Sequence, residues 1–226
     1  MLLALDCSQN YGSLALLEAG VLIYSAYFDL RVTHSETLLP ALDQALKLLG
    51  KKPAELEAIL LSNGPGSFTG LRIGLATAKG LALGLQIPIY PYDSLQMMAV
   101  AALGMNSSIL VAVDAKMKEI YLGSYDAQLN PLISPCLIKA EAVSELALEH
   151  PVLLGSAAPQ LKAVLSEAAI SFRSLDYPHV IPTAANLFTL HRLFPGDRAY
   201  DFNQIAALEP FYLRESSAQI KKHFTR

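Results

Sequence analysis

One loop constrains this chain more than any other stretch: Asn63-Gly64-Pro65-Gly66-Ser67-Phe68-Thr69-Gly70-Leu71-Arg72. The apolar run Ala58-Ile59-Leu60-Leu61 before it stops at turn residues and reads as a buried strand. Leu71 to Leu85 after it is apolar and long enough for a helix. Glycines and a proline packed this densely suit a sharp strand-to-helix turn in which backbone approaches backbone. Such a turn also leaves N–H groups at the helix start, which are candidates to hold an anion. No Lys-Ser or Lys-Thr follows the last glycine, so this is not a Walker loop. The spacing of Gly64, Gly66 and Gly70 does not fit G-x-G-x-x-G. A plain tight turn and an anion site both remain open.

The helix that follows has unusual faces. Its only charges, Arg72 and Lys79, are seven residues apart and share one face. Leu71, Gly74, Leu75, Ala78 and Ala82 make a second face, and Ile73, Thr77, Gly80 and Gly84 a third. Two apolar faces require two packing partners, inside the chain or outside it. Each helical glycine costs roughly 1 kcal/mol relative to alanine, so Gly74, Gly80 and Gly84 ask for a packing reason.

The 226 residues are 53% hydrophobic and 16% charged, which fits one large or two small globular domains. A net charge of −3 argues against a broad nucleic-acid surface. Lys221, Lys222 and Arg226 read as a short basic tail. Mean hydropathy is positive, +0.36, yet Lys79 and Gln86 interrupt the longest apolar run, so no membrane span is expected. Met1 to Asp6 lacks a basic leader region. Cys7 and Cys136 offer no disulfide framework. A cytoplasmic protein is expected.

Strands are expected at Leu2–Leu5, Ser13–Leu17 and Val21–Phe28, forming a meander. Thr33-His34-Ser35-Glu36 fits a capping box for a helix carrying Leu38, Leu39, Leu42, Ala45, Leu46 and Leu49 to a stop at Gly50. Pro40 conflicts with it, predicting a kink or a later start. A strand at Ile87–Tyr90 and a helix from Ser94 complete a β-β-β-α-β-α-β-α order. Leu3-Ala4-Leu5-Asp6 then echoes in Val111-Ala112-Val113-Asp114, with strands near Glu119–Tyr125 and Leu132–Ile138, which indicates duplication. Further elements are Val152-Leu153-Leu154-Gly155 and helices at Pro159–Ala168 and Pro182–Phe194, with His191 on a solvated face. The pattern breaks at Leu103–Ser108. The expected division is α/β, with domains 1–104 and 105–200 and a docking segment 201–226.

Candidate chemistry is sparse. A strand ending in Asp6, then Cys7-Ser8 and a hairpin, resembles the place where actin-like ATPases hold a metal and phosphate, but the turn Gln9-Asn10-Tyr11-Gly12 is bulky for phosphate. The alternative is a plain polar strand end. His34 has no second histidine three or four residues on, so a helical metal pair is not expected. Cys7 lacks an evident base and reads as a buried thiol. Ser67 does not sit in G-x-S-x-G.

Taken together these stretches resemble the TsaB family, also called YeaZ. The resemblance rests on Leu5-Asp6-Cys7-Ser8, on His34-Ser35-Glu36 running to Pro40, and on Gly64-Pro65-Gly66-Ser67-Phe68-Thr69-Gly70-Leu71-Arg72-Ile73-Gly74. It continues in Asp114 to Tyr121, where Lys116 replaces the family's arginine, and in Pro210 to Arg214. It implies an actin-like ATPase fold of two ribonuclease-H-like halves. It implies a non-catalytic subunit that pairs with the TsaD transferase in making threonylcarbamoyladenosine beside the tRNA anticodon. A small ATPase, TsaE, joins the pair. No cofactor is expected on this chain alone, ATP being used by the wider complex, and tRNA is reached only through that complex. A homodimer is expected as an option when the partner is absent. The pairing surface is placed on the helices after the meander and after the glycine turn, with Leu38, Leu42, Leu46, Leu71, Gly74, Leu75, Ala78 and Ala82 as its residues. Alternatives are an actin-like ATPase or kinase acting alone, and a peptidase.

Overall fold

A computed structural model describes residues 1–28, 34–146, 148–176 and 183–214, with backbone alone at 34–36. The chain forms two compact units, one built from residues 1–101 and 181–210, the other from 102–180 and 211–226.

In the first unit, β1 (Leu2–Asp6), β2 (Gly12–Glu18) and β3 (Val21–Phe28) form the meander. Then come α1 (His34–Leu49), β4 (Ala58–Ser62), α2 (Phe68–Leu85), β5 (Ile89–Tyr92) and α3 (Ser94–Ala99). The sheet order is β3-β2-β1-β4-β5. β1 runs antiparallel to β2 and parallel to β4, which is parallel to β5. The register puts Leu3 beside Leu16 and Ile59, and Leu5 beside Leu14 and Leu61. These side chains meet Leu38, Leu42, Leu46, Leu75, Ala78 and Ala82 of α1 and α2 in one core. Their alternates Ala4, Ala15 and Leu60 face the other side and are also buried. A sheet covered on both faces explains the unbroken apolar runs of β1 and β4.

α1 continues through Pro40 rather than starting after it. The exposed proline removes one N–H from the ladder, and the core leucines on either side hold the helix together. The capping box at Thr33 and Glu36 lies outside the described residues. β5 starts two residues later than expected, because Gln86 ends α2 in a left-handed conformation and Pro88 follows.

The second unit contains β6 (Ile109–Asp114), β7 (Glu119–Tyr125), β8 (Pro131–Lys139), a 3-10 segment Ala140–Glu145, β9 (Val152–Leu154), α4 (Ala158–Glu167) and β10 (Arg173–Leu175). Its sheet order is β10-β9-β6-β7-β8. Read from the β8 edge, this repeats the first unit strand for strand. A β-β-β meander followed by two parallel strands, in the order 3-2-1-4-5, is the ribonuclease-H-like arrangement, and two such units make the actin-like ATPase fold. β10, with three residues, escapes sequence patterning.

Two expectations need correction. The expected pairing residues Leu38, Leu42, Leu46, Leu71, Gly74, Leu75, Ala78 and Ala82 are all buried within this chain. The face of Leu71, Gly74, Leu75, Ala78 and Ala82 is covered inside the chain, where α2 packs on β4, β1, α1 and α6 (Phe202–Ala207), whereas on the other face Ile73 and Thr77 are half-buried and Gly80 and Gly84 exposed. A side chain at Gly74 would already touch Cys7 and Leu61. The stretch 183–200, expected in the second half, belongs to the first unit. The Ala184 N–H donates to Ser13 Oγ (2.8 Å) and the Asn186 amide to the Met97 carbonyl (3.1 Å), placing α5 (Asn186–Leu193) there.

Ala78 is fully buried, so Ala78→Arg is expected to destabilise the isolated chain by about 3 kcal/mol or more. A urea midpoint equal to that of the unmodified protein would show that α2 is turned the other way.

Candidate functional site

The glycine loop is filled by its own chain. A Cβ at Gly66 would overlap the Ser8 carbonyl oxygen, and one at Gly70 the Cys7 carbonyl oxygen. The Ser67 N–H donates to that Ser8 oxygen (2.7 Å). Ser67 Oγ caps α2 by accepting from the Gly70 N–H (3.3 Å). These bonds use the N–H groups of Ser67 and Gly70 internally, which supports the tight turn over the anion cradle. Gly64 and Pro65 are buried; Gly64 is pinned from the other side, its N–H donating to Ser94 Oγ (2.8 Å) and its carbonyl accepting from the Ser94 N–H (2.9 Å).

Asp6 and Ser8 lie at the buried end of β1, where Asp6 Oδ1 accepts from the Ser8 N–H (2.9 Å). Cys7 is 1% exposed. Burial first, then the Asp6 carboxylate, push its thiol pKa up, so the nucleophilic thiolate is suppressed. The side chains of His34 and Glu36 lie outside the described residues.

The outer face of α2 differs in character. Thr69, Arg72, Ala76, Gly80, Leu83 and Gly84 are exposed along it, with Phe68, Ile73 and Thr77 half-buried. The Arg72 guanidinium lies 4.0 Å from the Phe68 ring centre. A Cβ at Gly80 or Gly84 would meet nothing within 4 Å. α1 exposes Leu39 and Leu48, the latter at 75%. These, not the buried residues of the same helices, are available to another molecule.

In the second unit the β6–β7 turn is unusual. Lys116, Met117 and Lys118 have φ of 65°, 55° and 63°, a left-handed backbone that costs a non-glycine residue roughly 1–2 kcal/mol. Asp114 accepts from both the backbone N–H and the ammonium of Lys116 (2.8 Å each) and is thereby held below the usual carboxylate range. Arg214 donates to the Ala115 carbonyl (2.8 Å) and pairs with Glu119. The two segments Asp114–Tyr121 and Pro210–Arg214 thus meet.

A sequence profile of the TsaD family, tRNA N6-adenosine threonylcarbamoyltransferase, matches residues 30–209. Two curated proteins, each named tRNA threonylcarbamoyladenosine biosynthesis protein TsaB, are also similar. The one from Haemophilus influenzae is 38% identical over 53% of this chain and 51% of its own. The one from Escherichia coli is 34% identical over 64% of each. The matched stretch therefore spans between half and two thirds of these relatives. A solved structure from Pseudomonas aeruginosa, described as similar to peptidase YeaZ, is 28% identical over 94% of this chain and 99% of its own, with a TM-score of 0.76.

This chain belongs to that transferase family, within its TsaB/YeaZ group. As a TsaB/YeaZ chain, it carries the glycine motif inside the profile match, whereas Asp6, Ser8 and Arg214 fall outside it.

Three contacts escape a reading of the sequence. One is the pinning of Gly64 by Ser94, signalled only by Asp93, which caps α3. Another is the meeting of Arg214 with the β6–β7 turn. The third is His191, which is half-buried rather than solvated: its Nδ1 is hydrogen-bonded to the Tyr92 hydroxyl (2.7 Å), and its ring meets Tyr90 edge-on. Burial pushes the Tyr92 phenol up to about 12 and the His191 imidazole below its usual value.

A lowered folded-state pKa means that His191 favours folding while neutral. That stability is present above about 6.5, the unfolded histidine value, and is lost as pH falls through the folded value. His191→Phe is expected to flatten the dependence of thermal stability on pH below about 6.5. Identical slopes in the variant and the unmodified protein would show that His191 is not coupled to folding.

Proposed function

We propose that this chain is the non-catalytic subunit that pairs with a TsaD-type transferase in tRNA threonylcarbamoyladenosine biosynthesis. The observation that carries the pairing is the outer face of α2. Gly80 and Gly84 are exposed, and among the described residues no neighbour requires their small size. A helix interior with glycine loses roughly 1 kcal/mol per residue, and a closely approaching external helix gives that loss a purpose. Leu39, Leu48 and Leu83 supply exposed apolar area beside it.

The accessory role is supported by the glycine loop, which packs on Cys7 and Ser8 and uses the Ser67 and Gly70 N–H groups internally rather than leaving them open to an anion. On this reading the chain holds no cofactor alone, ATP is consumed by the wider complex, and a TsaE-type ATPase joins the pair. A second copy takes the same face when the transferase is missing. No described helix is long and apolar enough to cross a membrane, and the pathway places the complex in the cytoplasm. The peptidase reading needs a nucleophile, and Cys7 is sealed with its thiol pKa raised.

The test is co-expression with the transferase of the same host, followed by size-exclusion chromatography with light scattering. The unmodified chain is expected to co-elute with it. Gly80→Arg is expected to abolish co-elution while leaving the thermal midpoint unchanged or higher, since arginine is the better helix former. Normal co-elution of Gly80→Arg would remove α2's outer face from the interface. Absence of co-elution by the unmodified chain would remove the pairing itself.

A further inference from the structure

The end of the second sheet where β6 turns into β7 has no part in the pairing proposed above. Three consecutive non-glycine residues, Lys116, Met117 and Lys118, hold a left-handed backbone there. Glycine or asparagine would take that conformation at less cost. The turn is held from two sides, by Asp114 on Lys116 and by Arg214 on the Ala115 carbonyl and Glu119. The side chains it presents are fully in solvent, Met117 at 84% and Lys116 at 71%. Lys118 is exposed, and among the described residues its ammonium has no partner. Lys139 stands directly opposite Glu119 in the β7–β8 register and is likewise exposed without a partner among the described residues. In a chain of net charge −3, the described residues set Lys116, Lys118, Lys139 and Arg214 at this end, with Asp114 and Glu119 among them and Glu141 two residues beyond Lys139.

We propose that this end of the second unit contacts the phosphate backbone of RNA, with Lys118 and Lys139 as the contacting cations and Arg214 as the residue that positions the turn. It rests on the proposed tRNA role for the choice of RNA and goes beyond it by giving this chain a direct contact. Phosphate is favoured over an acidic protein surface for a chemical reason. Protein hot spots are built from packed tryptophan, tyrosine and arginine. This tip offers separate, hydrated ammonium groups on a convex turn, with Met117 as its one apolar side chain. Hydrated point charges suit phosphates, whose binding is driven by counterion release. Lys116 is oriented along the tip by Asp114 and adds to the field. Arg214 acts through Ala115 and Glu119 and does not itself reach outward.

The experiment uses the full chain co-purified with its host transferase and a fluorescent, unmodified tRNA transcript. Anisotropy is followed between 50 and 200 mM salt. Lys118→Ala combined with Lys139→Ala is expected to weaken binding about tenfold at the low-salt end and to reduce the slope of log K against log salt by about 2, near one per lost phosphate contact. Arg214→Gln is expected to lose part of the same slope with an unchanged thermal midpoint, whereas a merely structural arginine would move the midpoint and leave the slope. A double variant with unmodified affinity and slope overturns the contact and leaves the pairing intact. Loss of co-elution with the transferase in Met117→Ala, with RNA binding unchanged, makes the tip a protein contact and also overturns it. If the unmodified chain fails to co-purify, the pairing has failed by itself. The titration is then run on the chain alone, where the same slope loss supports the contact and its absence refutes it.

Discussion

The seating of α2 on the end of β1 is the contact from which the first unit is built. Two carbonyl oxygens, of Cys7 and Ser8, occupy the space that side chains at Gly70 and Gly66 would take. The Ser67 N–H locks one of them. With its start fixed this way, α2 must turn Leu71, Leu75, Ala78 and Ala82 inward and leave Ala76, Gly80, Leu83 and Gly84 outside. The same seating uses the N–H groups of Ser67 and Gly70 within the chain. One packing event therefore both occupies those donors and presents a helix face.

The second unit uses a related device with different residues. Gly155, at φ +108°, lies where a Cβ would overlap the Ala112 carbonyl oxygen, and the Ala157 N–H donates to that oxygen (3.0 Å). Helix start and strand are thus joined by glycine contact and one N–H bond in both halves. The halves diverge elsewhere. Where the first has the 16-residue α1, the second has a 3-10 segment of six residues. Without a long helix at that position, the described residues of the second unit form no outward helix pair like that of the first, and its distinctive feature is the strained turn at its sheet end.

Periodicity and turn residues made the strands, α1, α2 and α4 legible, as well as the duplicated order of the halves. They reveal which face of a helix is apolar but not what covers it. Of the two apolar faces of α2, the one named for pairing, Leu71 to Ala82, is the core face, and the one with Gly80 and Gly84 is left exposed. Glycine gives that exposed face a weak hydropathy signal. His191 and Tyr92 are 99 positions apart, and Arg214 and Ala115 likewise, so no local pattern could pair them. β10 has three residues, too few for alternation to register. The placement of 183–200 depended on single bonds such as Ala184 to Ser13, which leave no trace in composition.

Stability and interaction pull in opposite directions along α2. The inner face is filled as tightly as a core allows, with Ala78 and Ala82 fully buried. The outer face gives up roughly 2 kcal/mol at Gly80 and Gly84 together relative to alanine, and no contact among the described residues recovers it. A stable fold needs only a few kcal/mol of margin, so this is a sizeable concession for a single helix. The β6–β7 turn repeats the pattern, since three left-handed residues are maintained by Asp114 and Arg214 rather than avoided by glycine. In both of these places the departures from the most stable choice lie on exposed positions. Function, on this argument, is to be sought where the chain is locally less stable than its own composition allows.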